Sequence, residues 1–497
     1  MFVESFSGAA EVTRQSPGLD VLPFGLTERL GSPMISVLPP DKAIASVEPD
    51  ELAEIDTIVL TMPDHGEGQI ELVFLGSDTV FQGGDGASTL IGDVATLGGE
   101  ATAFPPPVTG GVSIFVLGSD ILVGDQDMSN GGDDLLIGDV HLLESVLAEF
   151  ATGSHPPQMK VVLTFGNDIL AGGAGDDEIV GDLYEGYIAG FGYYSDATEG
   201  LDGLTTVNWG HDRLFGGAGD DNLTGDTVGG AFSYGYLKET FGNDHLDGGS
   251  GSDRLFGDVG DAHHSWAGWS YLNTTSDNID YDIIASLWFF EDRSFALHYG
   301  HDNLEGGDGN DDLFGDIAVI EYQFLYGDTF GSLSFGDDTL SGGNGDDHIF
   351  GDAIALHFLA YPLISDFGDP GPMMETVAVS IEFGDDIIVG GAGDDILYGD
   401  LPLWGVQVPQ DERTMTLSIT RGADHFIFAP DSGHDTIMDF VAGIDTLDLS
   451  AYGFADVADI VWSWQGDDIL IDLDGTSEDV ASILIVGGDI SYSDILI

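Results

Sequence analysis

Aspartates and glycines recur at fixed positions along most of the chain, and their spacing is suited to chemistry. The clearest copy is residues 166–182, G-N-D-I-L-A-G-G-A-G-D-D-E-I-V-G-D, where a glycine-rich turn and an aspartate precede the apolar Ile179. The same 17-residue block recurs at 210–226, 242–258, 300–316, 336–352 and 384–400, with looser versions at 76–93 and 118–139. Carboxylates fixed at one place in a repeat can hold cations in rows.

The overall charge favours the same interpretation. The 497-residue chain has 89 acidic and 10 basic residues, a formal net charge of −79, yet it is 42% hydrophobic and 10% aromatic. Repulsion of this size opposes compaction, and acidic chains that stay disordered usually lack apolar residues. A folded state that binds many cations accounts for both facts. A salt-adapted surface is the alternative, although it would scatter the carboxylates.

Several classes of function are excluded by composition. Nucleic acid is excluded as a natural partner because phosphates and carboxylates repel each other. The chain has no cysteine, so disulfides and thiolate metal sites are excluded. The sequence contains no window of about 18 uninterrupted apolar residues, so no membrane span is predicted. The N-terminus lacks the features of a Sec signal peptide. The motifs H-E-x-x-H and G-x-S-x-G are absent, so we expect no enzyme.

The repeated pattern G-G-x-G-x-D-x-U-x, where U is an apolar residue, resembles the calcium-binding nonapeptide of RTX proteins. The resemblance covers roughly residues 76–497 and implies a parallel β-roll that binds several Ca²⁺ ions. Within it, the segment 422–497 resembles the C-terminal cap of serralysin-type RTX proteins, for example in Gly422, Asp424 and Phe426 and in G-D-D-I-L-I-D-L at 466–473.

The last four residues, D-I-L-I from Asp494, resemble the uncleaved signal that such proteins present to a type I secretion machine. This resemblance implies a transient partnership with that machinery. It also implies a secreted, extracellular or cell-surface protein of a Gram-negative bacterium.

On this resemblance, the intact loops supply one row of calcium ligands. Calcium takes about 6–8 oxygen ligands from carboxylates and carbonyls, and turns stacked about 4.7 Å apart can share one ion. The aspartates of this loop-side row are Asp177, Asp221, Asp253, Asp311, Asp347 and Asp395. The glycines that permit these turns, which require φ > 0, are Gly173, Gly175, Gly217, Gly219, Gly249, Gly251, Gly307, Gly309, Gly343, Gly345, Gly391 and Gly393.

A second row is predicted where one block ends and the next begins, and we call it the insert-side row. Its aspartates after each insert are Asp168, Asp212, Asp244, Asp302, Asp338 and Asp386. Those before each insert are Asp182, Asp226, Asp258, Asp316, Asp352 and Asp400. Because these loops are interrupted, the aspartates could instead only cap strands through Asx-type hydrogen bonds. Turns of the first two blocks are expected to be weak or empty sites, since Ser88 replaces a loop aspartate and extra residues precede Gly132.

The segments between blocks are insertions at one constant place, so all of them should leave from the same edge. Most leave on an apolar run and return on an alternating one, such as K-V-V-L-T-F before Gly166. Branched and aromatic residues favour strands there, although 140–150 could form a helix. We predict an all-β fold, a parallel β-roll or β-solenoid widened on one edge by a β-hairpin insert in each turn, so that both sheets continue sideways.

Three regions follow from these patterns. Residues 1–75 are predicted to form an N-terminal arm and a capping β-hairpin over 55–74, residues 76–421 the solenoid with its inserts, and residues 422–497 the C-terminal cap with its secretion signal. The predicted function is that of an extracellular calcium-binding structural or surface-associated protein. It would fold on binding calcium and assemble with other copies into a layer, matrix or filament. The alternative is a calcium-dependent adhesin or glycan-binding module that uses the tryptophan-containing insert face.

Overall fold

Alternating apolar residues and glycine turns produce β-strands throughout the part of the chain that the structure describes. The computed structural model describes residues 11–13, 59–61, 70–75, 80–82, 88–98, 112–125, 131–144, 160–190, 204–228, 230–233, 236–260, 285–289, 293–324, 329–360, 376–401, 406–407, 414–430, 432–473 and 481–497. These residues form four long sheets, a small two-stranded sheet and three 3₁₀ turns, at Ser450–Tyr452, Val457–Asp459 and Tyr492–Asp494. No helix within these ranges has the length and apolar character needed to cross a membrane.

Two of the long sheets enclose the roll. The first roll sheet contains, in order, Val80–Gln82, Ile121–Val123, Ile169–Ala174, Arg213–Ala218, His245–Ser250, Asn303–Asp308, Thr339–Asn344, Ile387–Ala392, His425–Ile427, Thr446–Asp448 and Ile495–Leu496. The second roll sheet contains Thr89–Ile91, Leu135–Ile137, Glu178–Val180, Asn222–Thr224, Arg254–Phe256, Asp312–Phe314, His348–Phe350, Ile396–Tyr398, His434–Ile437, Ser482–Ile485, Asp468–Asp472 and Val461–Gln465. All pairs are parallel except those made by Asp468–Asp472, which closes the roll with an antiparallel hairpin.

The other two long sheets are built from the inserts. The outgoing sheet contains Val94–Gly98, Val140–Glu144, Leu183–Gly190, Gly230–Ser233, Ala285–Phe289, Ile317–Phe324, Ala353–Ala360 and Val406–Gln407. The return sheet contains Ile70–Leu75, Val112–Val116, Lys160–Thr164, Leu204–Asn208, Tyr236–Thr240, Arg293–His298, Thr329–Ser334, Thr376–Glu382 and Thr414–Thr420.

The predicted β-solenoid with its sideways extension is confirmed. Each turn runs along the first roll sheet, round a glycine loop and along the second roll sheet, and then out and back through the insert. Equivalent residues of successive turns are in register, as in Ile179↔Leu223. The outgoing and return strands of an insert lie in separate sheets, and each pairs in parallel with the same strand of the neighbouring turn. All inserts therefore leave from one edge of the roll.

The interior of the roll is one apolar column from each roll sheet. Residues at the U position, such as Ile179, Leu223 and Leu255, are fully buried and belong to a single cluster that continues into the C-terminal segment. Each strand contributes only one side chain to this core. Fully burying such a residue contributes about 1.5–3 kcal/mol to the stability of the fold. The ordering of each residue costs about 1–2 kcal/mol in backbone entropy, so the roll needs a further source of stability.

Two stacked aromatic columns add to the packing beside the inserts. One runs through the residues that precede each block, Phe165, Trp209, Phe241, Tyr299, Phe335 and Phe383, with neighbouring ring centroids 4.5–5.7 Å apart. The other runs through Phe256, Phe314, Phe350 and Tyr398 at 4.7–5.1 Å. Both columns repeat at the turn spacing because parallel in-register strands place equivalent side chains face to face.

The structure corrects the predicted capping hairpin over 55–74. Val59–Thr61 pairs antiparallel with Glu11–Thr13, whereas Ile70–Leu75 runs parallel to Val112–Val116 as the first strand of the return sheet. The reason is that Ile70–Leu75 precedes the first block as every other return strand precedes its own, so its partner is one turn away. In the segment 140–150, for which a helix was the alternative, Val140–Glu144 forms a strand of the outgoing sheet. Residues 145–150 lie outside the described residues. The insert tryptophans Trp266, Trp269 and Trp404 lie outside the described residues.

Candidate metal centre

Glycines with positive φ shape the loop between the two roll sheets. Gly217 and Gly219 have φ of 112° and 144°, values that other residues rarely adopt. A Cβ added to Gly219 would lie 1.8 Å from the carbonyl oxygen of Gly175 in the preceding turn. The loop therefore needs glycine for its conformation and also for the close approach of successive turns. All twelve predicted loop glycines have positive φ.

The loop-side aspartates form a continuous chain of hydrogen bonds from turn to turn. The backbone N–H of Asp177 donates to Oδ1 of Asp221 at 2.8 Å, and the N–H of Asp221 donates to Oδ1 of Asp253 at 2.8 Å. Only one oxygen of each carboxylate is used in this way. The buried Oδ2 atoms have no hydrogen-bond partner in Asp134, Asp177, Asp221, Asp253, Asp311, Asp347, Asp395 and Asp435.

These orphaned oxygens face backbone carbonyls of the next turn. A Cβ placed on Gly216 would lie 2.4 Å from Oδ2 of Asp221 and 2.6 Å from the carbonyl oxygen of Gly248. The missing side chain of Gly216 thus leaves a small space bordered by a carboxylate and a carbonyl. Oxygen atoms of these two kinds are the ligands that calcium prefers.

The insert-side aspartates that follow each insert repeat this arrangement. The N–H of Asp168 donates to Oδ1 of Asp212 at 2.6 Å, and the N–H of Asp212 donates to Oδ1 of Asp244 at 2.7 Å. Their buried Oδ2 atoms lack a hydrogen-bond partner in Asp168, Asp212, Asp244, Asp302, Asp338 and Asp386. A Cβ on Gly181 would lie 1.8 Å from the carbonyl oxygen of Gly225 and 2.1 Å from Oδ2 of Asp212.

The aspartates that precede each insert use one oxygen to close its base. The N–H of Gly210, where the chain returns from the insert, donates to Oδ2 of Asp182 at 2.7 Å. The N–H of Gly242 donates likewise to Oδ2 of Asp226 at 2.8 Å. The second oxygen is buried without a partner in Asp139, Asp182, Asp226, Asp258 and Asp352. In these five aspartates, capping explains only one of the two oxygens, whereas both oxygens of Asp316 accept the N–H of Gly336.

Carboxylates from both sides of the inserts converge into groups of three. Within the described residues, carboxylate oxygens lie within 4.8 Å of one another in five groups: Asp93, Asp120 and Asp139; Asp139, Asp168 and Asp182; Asp182, Asp212 and Asp226; Asp226, Asp244 and Asp258; Asp258, Asp302 and Asp316. Successive groups share one aspartate, so they form a continuous row.

Burial makes these carboxylates unfavourable as anions in the absence of a cation. Desolvation, with added repulsion from neighbouring aspartates, raises the pKa of Asp182 and Asp226 well above the ordinary value. On the loop side, desolvation raises the pKa of Asp221 to about 8 and that of Asp177 to about 7, although hydrogen bonds from backbone N–H groups oppose the shift. A bound cation would favour the charged form.

All these donors are oxygens, and many are buried carboxylate oxygens without a hydrogen-bond partner. This donor set suits a hard cation such as Ca²⁺ and not a soft transition metal. Calcium would be held on the loop side by the aspartates and carbonyls that border the glycine spaces. On the insert side it would be held by the converging aspartates.

Some residues of both rows were not among the predicted ligands. In the second block, Asp134 accepts the N–H of Ser88 at 2.6 Å and donates its own N–H to Asp177, so it lies in the loop-side chain. Asp139 shares the first two insert-side groups. At the other end, Asp424 and Asp435 accept the N–H groups of Asp386 and Asp395. Gly138-Asp139 matches the end of a regular block and Gly422-x-Asp424 matches its beginning. This spacing could have identified Asp139 and Asp424 as ligands from the sequence.

Comparison with known protein families gives two matches. The RTX calcium-binding nonapeptide repeat (4 copies) matches residues 162–183, 206–227, 240–261, 299–317 and 333–353. The Peptidase M10 serralysin C terminal family matches residues 362–497. The chain carries RTX repeats and a serralysin-like C-terminal domain. The comparison with curated proteins found no match.

These matches confirm the resemblance that the sequence suggested and the binding of Ca²⁺ by the repeats. They indicate a calcium-binding RTX protein of the secreted type, with a non-catalytic repeat region and a C-terminal domain associated with type I secretion. The serralysin-like match begins upstream of Gly422, inside the last repeats. The predicted domain boundary at 422 stays a prediction.

Proposed function

We propose that this RTX protein is an extracellular, non-enzymatic structural protein whose β-solenoid folds when two rows of aspartates bind calcium. The observation that carries the proposal is the pair of buried carboxylate rows with orphaned oxygens. The proposed ligands are the predicted aspartates of the loop-side and insert-side rows. Asp134, Asp139, Asp424 and Asp435 extend them.

The physical reason for calcium-dependent folding is the energy of the rows themselves. Burying an ionised carboxylate without a partner is strongly unfavourable, and these aspartates repel one another across successive turns. A ligand that binds only the folded chain stabilises it by about 2.7 kcal/mol per site at 100 times its dissociation constant. Several such sites along the roll would supply the stability that the narrow apolar core lacks.

A structural role in the extracellular space is supported by the extent of the solenoid. The first roll sheet runs through successive turns from Val80–Gln82 to the C-terminal strand Ile495–Leu496, and the return sheet accompanies it from Ile70–Leu75 to Thr414–Thr420. At the other end the sheets finish in short strands such as Val80–Gln82, and strands at a sheet edge can pair with another chain. We propose export by a type I machine of a Gram-negative cell, followed by folding in external calcium and assembly with other copies.

Folding is tested by circular dichroism of the purified chain in excess EGTA and after addition of calcium. The β-sheet signal should be lost in EGTA and return with calcium. An unchanged spectrum in EGTA would contradict calcium-dependent folding. Light scattering on the same samples tests assembly, which should appear only with calcium. A calcium-loaded chain that remains monomeric at high concentration would contradict assembly and favour the adhesin alternative.

A further inference from the structure

In the regular turns, from residue 166 onward, the two rows differ in how many buried carboxylates each turn contributes. In the turn that contains residues 210–226, the loop side contributes Asp221, whereas the insert side contributes Asp212 and Asp226. All three are at most 2% exposed. One divalent ion per turn would therefore be balanced by two buried charges on the insert side but by only one on the loop side.

The convergence of carboxylates follows the same division. Among the described residues, all five groups of three close aspartates belong to the insert-side row. In the group of Asp182, Asp212 and Asp226, each side chain also has a buried oxygen without a hydrogen-bond partner. These oxygens are a second indication of a cation, independent of the clustering of acidic residues.

The end of the insert-side row supplies a third indication. The guanidinium Nη1 of Arg421 lies 2.6 Å from Oδ2 of Asp400, and the N–H of Gly422 donates to Oδ1 of the same carboxylate at 2.7 Å. Arg421 directly precedes Gly422, as Trp209 precedes Gly210 in an earlier turn. In this last turn the protein thus places its own cation against the aspartate that precedes the insert.

We propose that the insert-side row is a distinct class of calcium site, which fills at lower free calcium than the loop-side row and fixes the base of the inserts. The inference rests on the proposed function. Calcium affinity in proteins increases with the number of charged ligands, and the insert-side sites have twice as many buried carboxylates per turn. Because Asp182 also holds Gly210, an ion on its free oxygen would fix the point where the insert returns.

The test compares calcium titrations of three full-length proteins, with bound ions counted by isothermal titration in competition with a chelator. Wild type should show two classes of site whose dissociation constants differ by about tenfold or more. The insert-side variant carries Asp182→Asn, Asp226→Asn and Asp258→Asn, and should lose tight sites. The matched loop-side variant carries Asp177→Asn, Asp221→Asn and Asp253→Asn, and should lose weak sites while retaining the tight class.

Tryptophan fluorescence of wild type gives a second readout that does not depend on the folding of either variant. Trp209 is buried between Phe165 and Phe241, and it directly precedes the glycine that Asp182 holds. The emission of Trp209 is the part of the wild-type fluorescence that a Trp209→Phe control lacks, and it should change while the tight calcium sites fill. The part of the β-sheet signal in circular dichroism that has not yet formed should appear while the weak sites fill.

Two results would overturn the inference. One is a single class of sites in wild type, with Trp209 emission and β-sheet signal changing together. The other is loss of the tight class from the loop-side variant in place of the insert-side variant. Absence of calcium binding by wild type would instead contradict the proposed function, so the two failures can be distinguished.

Discussion

Without calcium, the folded RTX solenoid should become less stable as the pH rises from about 4 to 8. Desolvation raises the pKa of the buried loop-side aspartates above the ordinary value of 3.8, to about 8 for Asp221, about 7 for Asp253 and about 6 for Asp311. Between 3.8 and these values, the folded state holds protons that the unfolded state has released. Their stabilising contribution is complete at low pH and is lost as the pH rises through the folded-state values.

The magnitude is large because the shifts are large. One pKa unit corresponds to about 1.4 kcal/mol, so at pH 7 a group such as Asp221, protonated in the folded state and ionised in the unfolded chain, costs roughly 4 kcal/mol of stability relative to low pH. Whole domains are stable by only about 5–15 kcal/mol. A few such groups are enough to unfold the calcium-free roll near neutral pH. Calcium should reverse the trend, because it binds the ionised carboxylates and its affinity rises with pH.

The assay is urea unfolding at several pH values, in EGTA and in saturating calcium, followed by circular dichroism. Asp221→Asn and Asp220→Asn form a matched pair, since both remove one charge from the same loop but only Asp221 is buried. In EGTA, the first variant should weaken the pH dependence by about one proton, and the second is the control for removing one charge from the same loop. A calcium-free stability that is constant or rises between pH 5 and 8 would show that the buried aspartates are not protonated in the folded state.

Three further predictions concern the packing of the turns. Gly219→Ala should destabilise the calcium-loaded protein by more than about 3 kcal/mol, whereas Gly443→Ala, whose added Cβ meets nothing within 4 Å, should cost about 1–2 kcal/mol; equal costs in urea unfolding would contradict the close stacking of turns. Leu255→Ala should cost about 2–5 kcal/mol because its side chain is fully buried, and a cost below 1 kcal/mol would contradict the single inner column. Phe314→Ala should lower the thermal midpoint far more than Phe314→Tyr, since Tyr398 already occupies the same column; similar midpoints would contradict the aromatic stack.

The regular part of the fold could be predicted from the sequence because each block repeats one local geometry. Glycine pairs such as Gly217 and Gly219 mark turns that other residues cannot make, and the single apolar residue after the loop aspartate marks the inner column. The strands of the inserts were also predictable from their alternating residues. Their constant point of insertion placed them on one edge.

The choice of strand partner could not be read from alternation alone. The run Ile70–Leu75 alternates as a hairpin strand does, and the pattern does not distinguish an antiparallel neighbour in sequence from a parallel neighbour one turn away. The two roles of Asp182 were hidden for a similar reason. Its hydrogen bond to Gly210 spans a whole insert, so the function of each oxygen appears only when the chain has returned.

Anomalous X-ray diffraction from crystals of the calcium-loaded protein would locate the bound ions. We expect two rows of calcium peaks that follow the solenoid axis. One row should lie beside the glycine spaces at Asp221 and its equivalents, and the other within groups such as Asp182, Asp212 and Asp226. A folded solenoid without anomalous peaks at these carboxylates would mean that the two rows do not bind calcium.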